Sequence, residues 1–155
     1  MRSNRTSRVL AIAVTFALAA GAQSPTRIPL PNNSNFPISQ GVWVGNTLYL
    51  SGTLDPDFKK QPARDTKAQT IGTIQAIQKA LAAQKLTLGD VVMMHVYLAP
   101  DPATSRMDFA GFMSAYSQFF GTKDQPKLPA RSAMQVAALA APGALVEIEV
   151  IAVRP

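Results

Sequence analysis

Residues 128–155 read LPARSAMQVAALAAPGALVEIEVIAVRP, and the alternation inside this closing stretch decides the fold. From Leu145 to Val153, residues Val146, Ile148, Val150 and Ala152 fall on one side of an extended strand, and Leu145, Glu147, Glu149 and Ile151 fall on the other. The first side needs a covering layer, whereas the side with two carboxylates does not, so the strand belongs to a sheet covered on one face only. From Arg131 to Leu139 the same period puts Arg131, Ala133, Gln135 and Ala137 on one side and Ser132, Met134, Val136 and Ala138 on the other. The expectation is an open face carrying Arg131, Glu147 and Glu149 together.

If these two strands were arms of one hairpin turning near Ala141 and Pro142, Glu147 would lie opposite about Val136. Five residues of strand rise, roughly 17 Å, would then separate it from Arg131. A single small ligand cannot touch both, so either the strands are not neighbours or the site is completed across a subunit boundary. An arginine suits a planar carboxylate because its donors form a fork, and a half-buried guanidinium without a partner carries a desolvation cost. The competing use of Arg131 is an interfacial ion pair with Glu or Asp.

Upstream, VVMMHVYLA (Val91 to Ala99) has little polar content and is expected to be a central strand. Asp65 to Leu86 repeats apolar residues at Ala68, Ile71, Ile74, Ile77 and Leu81, an amphipathic helix with Asp65 as its cap. Ser105 followed by Asp108 predicts the cap of a second helix, with Phe109, Phe112, Met113, Tyr116, Phe119 and Phe120 on its core side and Gly121 at its end. ISQGVWVG and TLYLSG predict a hairpin around Gly45-Asn46. The order is strand, strand, helix, strand, helix, strand, strand: an α+β domain with both helices on one face of a small mixed sheet.

The first eight residues hold Arg2, Arg5 and Arg8 and no acid, an apolar run from Val9 to Ala20 follows, and Ala20-Gly21-Ala22 offers a small-x-small cleavage site. That order predicts a signal peptide over residues 1–22 and an exported, periplasmic protein. A spanning helix needs roughly 20 apolar residues, so no stable membrane anchoring is expected. Residues 23–36, rich in Pro, Asn and Ser, are expected to be a flexible arm before one domain over 37–155. Removing the three leader arginines from the net charge of +6 leaves +3. With Lys59-Lys60 the only adjacent basic pair, nucleic acid is not an expected partner. The chain has no Cys and one His, His95, set in an apolar strand. Thiolate chemistry, a nucleophile triad and a metal site therefore lack their residues, and His95 is read as a packed or hydrogen-bonded residue.

The segments PISQGVWVGNTLYLSG, DVVMMHVYL, DFAGFMSAYSQFFG and PARSAMQVAALAAPGALVEIEVIAV resemble, in order, those of the reactive intermediate deaminase family (RidA, YjgF-like), over about residues 37–153. The resemblance implies a chorismate-mutase-like α+β fold, a homotrimer with clefts at subunit boundaries, and hydrolysis of small enamines and imines (2-aminoacrylate, 2-imino acids) to 2-keto acids and ammonia without a cofactor. By position it implies that Arg131 clamps the substrate carboxylate, that Glu147 orients or activates water, and that Ser51 and Gly52 line the cleft. Non-catalytic binding of small carboxylates is the alternative it leaves open. Four positions depart from the family pattern: Ile38 replaces its pocket tyrosine, Met113 its common Asn, Ala133 a frequent Cys, and Thr53 the Gln of SGQ. Each removes a polar group from the neighbourhood of the expected cleft, with Ile38 and Ala133 among its walls.

Overall fold

In the structure, a computed structural model that describes residues 24–155, the elements are β1 (Thr26–Pro29), β2 (Ser39–Val44), β3 (Thr47–Thr53), α1 (Thr66–Ala83), β4 (Val91–Leu98), α2 (Phe109–Tyr116), β5 (Ala130–Gln135) and β6 (Val146–Val153). The expected signal peptide lies outside the described residues. The strands form one sheet in the order β1-β2-β3-β6-β4-β5, antiparallel throughout except for the parallel pair β4 and β5. The mixed α+β class read from the sequence is the one observed.

Local chemistry explains most of the element boundaries. Gly45, at φ 58°, turns the β2–β3 hairpin, a conformation open to it because it has no Cβ. Asp65 caps α1 by accepting from the Ala68 N–H at 2.7 Å. The cap of α2 is Asp108, which accepts from the Gly111 N–H at 2.8 Å, and not Ser105, which stands in a left-handed turn at φ 56°. Both residues are good caps, and only the turn at Asp101–Arg106 decides between them. The same helix ends at Tyr116, and Gly121 instead turns the chain, at φ 72°, after the loop that follows.

Where the sequence suggests only a flexible arm over 23–36, Thr26–Pro29 pairs with β2 as an edge strand. A four-residue strand containing a proline has no readable period, and its place comes from the free edge of β2. The closing strands do not form a hairpin, because β4 lies between them. Arg131 changes faces relative to the expectation. β5 runs parallel to β4 with Arg131 opposite Met94 and Ala133 opposite Val96, residues buried under the helices, so Arg131 lies on the helix side while Glu147 and Glu149 lie on the open side. With Ala133 and Met134 both apolar, the period of β5 separates its two faces without saying which is inward.

The core joins Leu48, Leu50, Met94, Val96, Val146, Ile148 and Val150 of the sheet to Ile74, Ile77 and Leu81 of α1 and Phe112 of α2. Buried Gln69 ties α1 to the start of β6: its amide donates to the carbonyls of Arg64 and Gly143 and its oxygen accepts from the Leu145 N–H at 2.8 Å. Gly72, inside α1, makes room for Asp55, which is 2% exposed and paired with Arg64. A Cβ at position 72 would overlap the Asp55 carboxylate.

Gly72→Ala therefore sets two effects against each other. Alanine gains about 1 kcal/mol of helix propensity. Overpacking against a buried carboxylate costs about 1–3 kcal/mol and also disturbs its ion pair. The expected outcome is a lower urea midpoint; a higher one would show that the 54–64 loop gives way freely.

Candidate active site

Arg131 opens β5 and lies against α2. Its guanidinium carbon sits 4.4 Å from the Tyr116 ring centre and 5.1 Å from that of Phe112, and one terminal nitrogen donates to Met113 Sδ at 3.3 Å. Phe112 and Tyr116 are four apart on one helix face, and Tyr116 in turn stacks on Phe120 at 4.8 Å, so the platform is rigid. Cation–π contact of this kind is worth about 0.5–2 kcal/mol and fixes the plane of the guanidinium. Among the described residues no carboxylate lies within ion-pair distance of Arg131. Burial holds the Tyr116 hydroxyl above its ordinary range, with the charge of Arg131 pulling the other way, so it stands beside the cation as a neutral phenol at neutral pH.

Glu147 occupies the other face. Between Leu50 and Thr53 the β3–β6 register slips by one residue, a bulge at Ser51 and Gly52. The Glu147 carboxylate lies over Gly52, where a Cβ would overlap its Oε1. The Ser51 hydroxyl donates to the Ser39 carbonyl at 2.8 Å, which places half-exposed Ile38 at the end of the same group. Burial, and after it the charge of Glu149, raises the Glu147 carboxyl above its ordinary pKa.

The residues expected from the sequence thus fall into two groups. Ser51, Gly52 and Glu147 are grouped at the β3 bulge, with Ile38 next to Ser39 in the chain, while Arg131 and Ala133 lie on the helix face at the sheet edge. Glu147 is opposite Tyr97, which neighbours Met134, so Arg131 is two strands across and three residues along, roughly 14 Å between backbones. One chain does not bring the guanidinium and the carboxylate onto one small ligand.

A polar cluster that the sequence reading did not assemble lies on the open face. His95 Nδ1 is 2.8 Å from Glu149 Oε1, and the Tyr97 hydroxyl donates to the same oxygen at 2.9 Å. That hydrogen bond, then burial and the charges of Glu149 and Glu147, raises the Tyr97 pKa. The available signal was the shared period of HVY and EIE; the missing one was that β4 and β6 are partners. Among the described residues no group of three or more His, Cys, Asp or Glu is arranged to hold a metal ion.

The family described as Endoribonuclease L-PSP matches residues 32–154. A RutC family protein of Saccharolobus solfataricus is 39% identical over 118 residues, covering 75% of this chain and 86% of that protein. The 2-iminobutanoate/2-iminopropanoate deaminase of Salmonella typhimurium is 34% identical over 119 residues, covering 76% and 88%. Among solved structures, that of E. coli TdcF with bound serine is similar at a TM-score of 0.64 and 33% identity, covering 77% of this chain and 89% of that one.

The raised proton affinity of Glu147 has a stability consequence. A carboxyl that holds its proton more tightly when folded supports the fold fully below its unfolded pKa, and that support is lost as pH rises through the folded value. Glu147→Gln is expected to raise the melting temperature at pH 7, with the gain shrinking toward pH 4. Equal melting temperatures at both pH values would show that Glu147 titrates as an ordinary solvated acid.

Proposed function

Because the chain belongs to the Ribonuc_L-PSP family, that of the YjgF, RutC and RidA proteins, we propose that it hydrolyses small 2-imino acids or their enamine tautomers to 2-keto acids and ammonia. The observation that carries the proposal is Arg131: a guanidinium fixed on Tyr116, without an acidic partner among the described residues, at a position suited to a ligand carboxylate. The relative solved with serine bound is consistent with a ligand of that class. Glu147 supplies the base. It takes a proton from water as the oxygen attacks the imine carbon, then returns that proton to the nitrogen of the carbinolamine. Glu147 next takes the proton of the carbinolamine hydroxyl and passes it to the amine as the C–N bond breaks, so that the hydroxyl becomes the keto group and ammonia leaves. A carboxyl whose proton affinity is raised by burial suits both transfers.

Since Arg131 and Glu147 stand on opposite faces, the working cleft in this proposal forms between chains, one giving Arg131 and another Glu147, in a homotrimer. The description of the family as an endoribonuclease fits the chain less well, because scattered cations with only one adjacent basic pair give a phosphate backbone little to hold. A second reading, a carboxylate binder without turnover, is favoured by the apolar Met113 and Ala133 around Arg131.

The test uses an amino-acid oxidase to generate 2-imino acids and semicarbazide to trap what persists. The wild-type chain is expected to suppress the trapped product. Arg131→Ala should lose both binding and turnover, and Glu147→Gln should lose turnover by about 100-fold or more with binding retained. A wild type that binds 2-keto acids but leaves the trapped product unchanged would establish the binder.

A further inference from the structure

The open face holds titratable side chains to which the proposed reaction gives no role. Glu147 and Glu149 are two apart on β6 and so project from the same face, about 7 Å apart at the backbone. On β4, His95 is opposite Glu149 and Tyr97 is opposite Glu147. Yet Tyr97 reaches diagonally: its hydroxyl donates to Glu149 Oε1, the oxygen that His95 Nδ1 already approaches. Glu149 therefore gathers both donors, and no side-chain hydrogen bond to Glu147 exists among the described residues. Glu147, with no donor of its own, is the carboxyl open to the charge beside it.

We propose that Glu149, held by His95 and Tyr97, is a positioning residue that governs how readily Glu147 takes a proton. The charge of Glu149 favours the protonated form of Glu147, in the direction in which its pKa is displaced. His95 adds a counterweight. Once its imidazole is protonated, the His95–Glu149 pair is net neutral, and its effect on Glu147 weakens. The remaining titratable groups of this face stand farther off: Tyr49 on β3 is beside Ile151, and Arg27 on β1 is three strands from β6. β5 contributes Ser132 and Met134 to this face, neither of which titrates. The consequence for turnover rests on the deaminase reading, whereas the control of Glu147 by Glu149 does not.

Glu147 and Glu149 are the only glutamates in the sequence, so the full chain labelled with δ-¹³C glutamate gives two carboxyl signals to follow by NMR across pH. Glu147→Gln assigns them. In Glu149→Gln, a near-isosteric change, the proton affinity of Glu147 is expected to fall about threefold or more, and the acid limb of the rate profile to move to lower pH by the same factor. His95→Asn, which keeps a side-chain N–H for Glu149 but cannot carry the counterweighing positive charge, should leave Glu147 at least as proton-avid as in wild type, and a less proton-avid Glu147 would overturn the counterweight role of His95. An unchanged Glu147 titration in Glu149→Gln overturns the proposal even in a chain that hydrolyses imines. A shifted titration in a chain that hydrolyses none upholds the proposal and removes the deaminase reading.

Discussion

Everything in this molecule depends on β6 being paired along both edges. The last strand of the chain enters the middle of the sheet, with Leu48 opposite Ala152 on one side and Met94 opposite Val150 on the other. Two sets of ladder hydrogen bonds fix its register, and with a side-chain period of two a one-residue slip would put both carboxylates under α1 and α2. The price of that slip, two desolvated charges in an apolar core, is what makes the register secure. The same placement leaves β4 only β6 and β5 as partners, and so separates the two strands that carry Arg131 and Glu147. Gln69 reinforces it from the helix layer by bonding to the backbone where β6 begins.

What was legible in the sequence follows from how much local chemistry each element carries. The alternation of VEIEVIAV, the Gly45-Asn46 turn and the Asp65 cap each have one physical solution, and the structure adopts it. Family membership was likewise legible, because the closing PARS with VEIEVIAV is long and specific. The inward face of β5 was not, since ARSAMQ offers small apolar residues on both sides and only its parallel pairing with β4 decides. β1 was illegible for a related reason: its four residues have no period of their own and take their conformation from the edge of β2. In the candidate site, Arg131 and Glu147 stood out as charges in apolar strands. The His95–Glu149–Tyr97 cluster did not, because it depends on contacts more than fifty residues apart in sequence.

The separation of Arg131 from Glu147 constrains any account of the site. Arg131 is at the outer edge of the sheet on the helix side, and Glu147 is on the open side near its middle. No rotamer change crosses a sheet layer. The open face also exposes Tyr49 and Met134, at 47% and 42%, beside its carboxylates. A surface of this mixed kind is suited to contact with another copy that supplies the missing half of the site, and this is why the proposed cleft lies between chains.

Among the described residues, three carboxylates lie against glycines, and comparing them sets Glu147 apart. Asp55 fits over Gly72, and Asp108 over Gly111; in each case a side chain at the glycine would overlap the carboxylate. Asp55 is satisfied by Arg64 and by the Asp57 N–H, and Asp108 by the N–H of Gly111 that it caps. Both are structural, with close approach and donors arriving together. Glu147 has the same close approach, over Gly52, and no side-chain donor among the described residues. For stability alone this is a poor arrangement, because burial disfavours the charge and nothing nearby compensates it. A carboxyl kept in that state is a group whose proton is easily exchanged with whatever binds beside it, which is the property a general base requires.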